Sequence, residues 1–138
     1  MSDSDHVTGL ATRGDLERTL GRLMAPDVRP RCAVLICDVV GLKAVNEGRG
    51  FRAGDAVLAT AARVLVAEAA GADVVARLGG DEFVAVFSGP SADADARRAA
   101  ARLAACAEPR LRSATAIATA SDTPGVLIDR LYATMRAS

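Results

Sequence analysis

The stretch ARLGGDEFVAVF, residues 76–87, places Gly79, Gly80 and Asp81 between two apolar runs. The flanking segments DVVARL (73–78) and EFVAVF (82–87) read as strands of matching length, so this region predicts a β-hairpin whose glycines supply positive φ at the turn. Strands that pair antiparallel, in a chain otherwise dominated by helical patterns, point to an α+β domain. Asp81 and Glu82 at such a turn are either solvated turn residues or acids gathered for chemistry. The hairpin by itself leaves both readings open.

N-terminal to the hairpin, CAVLICDVV (32–40) is a continuous apolar run rich in β-branched residues, the pattern of a strand covered on both faces. DLERTLGRLM (15–24) carries Leu16, Leu20 and Leu23 at helical spacing, and PDVRP (26–30) stops that helix. GLKAVNEGRGFRAGD (41–55) mixes a short helical turn with glycines. A long helix follows in DAVLATAARVLVAEAAG (55–71), with Val57, Leu58, Ala61, Leu65 and Ala69 on one side and Gly71 as its stop. Beyond the hairpin, SADADARRAAARLAACA (91–107) predicts a helix that Ser91 can cap and whose Asp93 and Asp95 suit a helix N-terminus. RSATAIATA (112–120) reads as a strand, and TPGVLIDRLYATMR (123–136) as a last helix with Thr123 before Pro124. The expected architecture is therefore α+β, a mainly antiparallel central sheet flanked by helices, in one domain over residues 1–138 with residues 1–4 disordered.

Composition narrows the function. With 138 residues and 51% hydrophobic content the chain supports one real core. Seventeen basic and seventeen acidic residues cancel, so no general field collects nucleic acid, and any anionic ligand is held locally. The polar N-terminus lacks the apolar core of a signal peptide, and no run is long enough to span a membrane, which predicts a soluble, cytoplasmic protein without a membrane partner. Cys32, Cys37 and Cys106 are odd in number, lack C-x-x-C spacing and lie in apolar segments, so they are expected as buried free thiols rather than a disulfide or a zinc site.

Asp38 shifts the balance at the hairpin. A carboxylate ending an apolar strand is costly to desolvate unless it meets a cation or hydrogen-bond donors. If the hairpin lies beside that strand, Asp38 and Asp81 converge at one sheet edge and form an oxygen-rich site for Mg²⁺, with Glu82 adjoining. Phosphoryl transfer asks for little else than metal ions and donors for the phosphate oxygens. The VVGLK loop offers backbone N–H groups at a helix start, at Gly41 and Leu42, with Lys43, the only lysine, beside them.

These residues carry a resemblance. The sequence resembles the GGDEF family of diguanylate cyclases and reads as a compact standalone member. Its opening D-x-L-T-G-L-x-N-R stretch is matched by Asp5, Val7, Thr8, Gly9, Leu10 and Arg13; DVVGLKAVNEGRGFRAGD keeps Asp38, Lys43, Asn46, Gly50, Gly54 and Asp55; and R-x-G-G-D-E-F is complete from Arg77 to Phe83. The resemblance implies Asp38, the Val39 carbonyl and Asp81 as ligands of Mg²⁺, or Mn²⁺, with Asp81, Glu82 and Lys43 catalytic. It implies Asn46 and Asp55 as readers of guanine, and Gly41, Leu42, Lys43, Gly79 and Gly80 lining the substrate. A carboxylate suits guanine because it accepts from N1–H and the exocyclic amine, a pattern adenine lacks. The implied reaction joins two GTP into cyclic di-GMP with release of two pyrophosphates across a homodimer, with a regulatory protein as a further partner.

The match departs at named places. Val40, Glu47 and Phe51 stand where the family has Asp, Asp and His, and Thr12 where it has Asn. In the C-terminal segment Leu131 and Tyr132 are kept, but Met135 takes the position of a phosphate-gripping Lys, and Arg136 lies about 100° away around a helix. Ala70 stands where a product-inhibition Arg is usual, upstream of Asp73, so feedback inhibition through that site is not expected. The alternative function is a catalytically impaired GGDEF domain that holds GTP or docks on a protein.

Overall fold

A computed structural model describes residues 4–25 and 32–137. The order is α1 (Arg13–Leu23), β1 (Cys32–Val39), α2 (Leu42–Arg49), α3 (Phe51–Glu68), β2 (Val74–Arg77), β3 (Glu82–Ser88), α4 (Ala92–Ala104), β4 (Leu111–Ile117) and α5 (Pro124–Ala137). The four strands form one sheet in the order β2-β3-β1-β4, and every neighbouring pair is antiparallel. The expected α+β class is the observed one.

The apolar run of β1 follows from its position at the sheet interior with helices on both faces. Ala33, Leu35, Cys37 and Val39 pack with Phe83, Ala85 and Phe87 against Leu58, Ala61 and Leu65 of α3 and Ala96, Ala99 and Leu103 of α4. Val34 and Ile36 point the other way, with Val84 and Val86, into a second cluster built on Leu16 and Leu20 of α1 and Leu127, Ile128 and Leu131 of α5. Both residue parities of the strand are thus buried, which an alternating pattern could not satisfy. Each fully buried leucine contributes about 1.5–3 kcal/mol relative to exposure.

The helix ends follow the expected capping at some positions and depart from it at others. Thr123 accepts from the Val126 N–H at 3.3 Å, as expected of a cap before Pro124. Ser91 stands at the N-cap of α4, but its hydroxyl bonds the Asp95 carboxylate at 2.9 Å rather than a backbone N–H. α1 begins two residues earlier than its apolar pattern, because Thr12 and Asp15 form a reciprocal capping box. α3 likewise starts at Phe51, and Gly54 lies buried inside it rather than marking its approach. The hairpin glycines also differ from expectation: Gly79 and Gly80 are absent from the positive-φ glycines, which include Gly41, Gly50 and Gly71. The expected stop at residues 26–30 lies outside the described residues. Cys32 and Cys37 are buried and free, and Cys106 is half-buried and free.

Candidate active site

The site begins where β1 ends. The Val39 N–H donates to the Asp81 carbonyl at 3.2 Å, tying the strand end to the turn between β2 and β3. Asp38 stands directly opposite Glu82 on β3 and opposite Arg112 on β4. Residues paired in this way project from the same sheet face, so three charged side chains share one edge. The predicted convergence of β1 and the hairpin is therefore present.

Arg77 holds the turn in shape. Its Nε donates to the Gly79 carbonyl at 3.2 Å and its Nη2 to the Gly80 carbonyl at 2.7 Å, while Nη1 reaches both Asp5 oxygens at 3.1 and 3.2 Å. Asp5 also accepts from the Thr8 hydroxyl at 2.7 Å and the Thr8 N–H at 2.8 Å. Burial, the largest single effect on Asp5, would raise its pKa, but the Thr8 and Arg77 donors together bring it below the ordinary value. One arginine thus joins the N-terminal DHVTGL stretch to the acidic turn.

Glu82 is fixed from two sides. Tyr132 of α5 donates its hydroxyl to Oε1 at 3.1 Å. A Cβ at Gly79 would come within 2.5 Å of that same oxygen, so a larger residue there must displace the Glu82 carboxylate; glycine serves here by the room it leaves rather than by its φ. Burial and then the charges of Asp81 and Asp38 raise the Glu82 pKa, against the Tyr132 hydrogen bond and Arg13. The Tyr132 pKa is raised as well, first by burial and then by the Glu82 charge.

The loop after Asp38 turns at Gly41, whose φ of 82° favours glycine, and Leu42 buries the first position of α2. Its N-cap, Gly41, makes no side-chain cap hydrogen bond, and helix-start N–H groups without a side-chain cap suit an anion. Lys43 points to Glu47 at 3.9 Å and is 89% exposed, so it is not drawn onto the acids. Asn46 packs on Gly54 so closely that a Cβ there would lie 1.7 Å from its Oδ1. Asp55, the next residue of α3, is exposed. An eight-residue helix such as α2 is about 12 Å long, on the scale of a nucleotide from base to phosphate.

Among the described residues, no three histidine, cysteine or acidic side chains gather as a metal cluster. Mg²⁺ does not need one: it commonly takes one or two carboxylates and completes its shell with phosphate oxygens and water. Asp38 and Asp81 supply hard oxygen donors of that kind at one edge, so the donor chemistry fits. Sequence reading missed two contacts here. Arg112 donates to Asp38 through Nη2 at 2.8 Å and Nε at 3.4 Å, and Tyr132 holds Glu82. Both depend on sheet register and on helix docking, which a linear pattern does not carry. Met135, at the position of the phosphate-gripping Lys that the resemblance implies, is buried in the core with Leu131, while Arg136 is exposed.

Comparison with known proteins shows the family of the chain. The family described as "Diguanylate cyclase, GGDEF domain" matches residues 2–125. A protein of Mycobacterium tuberculosis is 37% identical over 133 residues, covering 91% of this chain and 21% of the relative. Diguanylate cyclase TpbB of Pseudomonas aeruginosa is 36% identical over 110 residues, covering 78% of this chain and 25% of TpbB. The chain thus spans about a fifth to a quarter of the length of these relatives. A solved form of TpbB comprising only its GGDEF domain superposes with a TM-score of 0.82 at 29% identity, covering 98% of this chain and 87% of that one. In the described residues, no helix is long and apolar enough to cross a membrane.

Proposed function

Because the chain belongs to the GGDEF family, we propose that it is a diguanylate cyclase that joins two GTP into cyclic di-GMP and releases two pyrophosphates. The observation that carries this reading is the tie between Val39 N–H and the Asp81 carbonyl, with Asp38 and Glu82 paired across the strands beside it. Asp38, the Val39 carbonyl and Asp81 would hold Mg²⁺, or Mn²⁺ in its place. When bound, such an ion neutralises phosphate charge and lowers the pKa of an attacking hydroxyl.

The chain's own residues supply positioning. Asn46 and Asp55 read the guanine edge, and the Gly41–Leu42 helix start, together with the Gly79–Gly80 turn, lines the phosphates. Glu82, oriented by Tyr132, completes the catalytic set with Lys43, which is 89% exposed and would leave Glu47 to act on the bound nucleotide. Each protomer offers one GTP, and the 3′-hydroxyl of each attacks the α-phosphate of the other, so turnover needs a homodimer formed unaided or by a regulatory protein. Without turnover, the same domain would act as a GTP-binding or interaction module.

Two substitutions separate the roles. With GTP and Mg²⁺, Asp81→Asn is expected to lower product formation by at least about a hundredfold, as loss of a charge-stabilising group does. Asp55→Ala is expected to weaken the preference for GTP over ATP while leaving the protein folded. Full activity of the first, or unchanged preference in the second, contradicts the assignment.

A further inference from the structure

The acidic edge needs a cation for a polyphosphate, and the described residues put one directly on it. Asp38 and Glu82 are paired across β1 and β3, and Asp81 precedes Glu82 in the turn, so the edge is acidic, and a nucleoside triphosphate would add further negative charge. Lys43 is turned to Glu47, and Met135 is buried. Arg112, reaching in from edge strand β4, lies across both oxygens of Asp38 at 2.8 and 3.4 Å. Asp81 lies near enough to add to the field on its guanidinium.

Two features make this arginine able to change partners. Its side chain is 48% exposed, and its described hydrogen bonds go to Asp38 alone. The planar fork that fits a carboxylate with two parallel donors fits phosphate oxygens equally well. A divalent cation that takes a lone pair of Asp38 draws charge from the carboxylate and repels the guanidinium, which loosens the fork.

We propose that Arg112 is the triphosphate-binding cation of this site. It rests on Asp38 in the free protein, and its fork passes to phosphate oxygens when Asp38 turns to the divalent cation that arrives with the nucleotide. This inference rests on the cyclase reading above. It assigns to β4 a substrate contact that the signature motifs do not contain.

The test compares two ligands on one protein by calorimetric titration in Mg²⁺. One is the α,β-methylene analogue of GTP, which cannot be cyclised, and the other is GMP. Arg112→Gln is expected to weaken the triphosphate analogue on the order of tenfold or more, the loss of a charge-assisted hydrogen bond, while GMP changes less than twofold. Arg112→Lys, which keeps the charge without the fork, is expected to fall between, and it carries the same comparison should the Gln variant melt. Equal loss for both ligands, no loss, or tighter binding of the triphosphate overturns the inference; the last would make Arg112 a competitor for Asp38. Wild-type protein that binds neither ligand overturns the cyclase reading itself, whereas wild-type binding with an unchanged ratio in Arg112→Gln overturns this inference alone.

Discussion

Two glycines set the side chains of the site, each through the room it leaves. At Gly54 a methyl group would sit 1.7 Å from Asn46 Oδ1, so Gly54→Ala must move the Asn46 amide from its present place. Alanine also favours a helix interior by about 1 kcal/mol over glycine, which offsets strain in the fold. The expected outcome is loss of discrimination between GTP and ATP in a protein that still melts cooperatively, measured by competition binding. Unchanged discrimination would show that Asn46 does not read the base. Gly79 acts in the same way on Glu82, and this role was hidden in the sequence because turn glycines are ordinarily read for positive φ. Asp38 was legible as a charge in need of a partner. That the partner is Arg112 was not, since the β1–β4 register exists only once α4 has returned the chain to the sheet edge.

At the scale of elements, Arg77 couples the N-terminal turn to the β2–β3 hairpin. Arg77→Ala removes four hydrogen bonds, two of them to the half-buried Asp5 carboxylate and two to turn carbonyls. The expected cost is about 2–3 kcal/mol, read as a lower denaturation midpoint, with the acidic turn loosened. A variant within about 0.5 kcal/mol of wild type would contradict the coupling. Asp5 gives the pH dependence its sign. Its folded pKa lies below the ordinary 3.8, so its contribution is present above that value and is lost as pH falls through the folded pKa. Asp5→Asn is therefore expected to reduce stability at pH 7 and to flatten its decline below about pH 4. The Arg77 and Asp5 positions were visible as motif letters, but their 72-residue separation concealed that they are one contact.

The whole molecule is a sheet covered on both faces, and the continuous apolar run of β1 announced that covering before any topology was known. Burial in those layers drives the Cys32 pKa up to about 11 and that of Cys37 up to about 12, so neither forms a thiolate near neutrality. A disulfide-exchange reagent at pH 8 is expected to label Cys106 first, with Cys32 and Cys37 reacting only on unfolding; rapid labelling of all three would contradict the packing. The same layering leaves Asp38, Asp81 and Glu82 at an edge, and condensation of two nucleotides requires two such edges to face each other. The most direct measurement is incubation of purified protein with GTP and Mg²⁺ over a range of protein concentrations, with products separated by chromatography and identified by mass. The account predicts cyclic di-GMP and pyrophosphate, at a rate that rises faster than protein concentration wherever the dimer is incompletely formed. Folded protein that binds GTP yet yields no cyclic di-GMP at any concentration would contradict it.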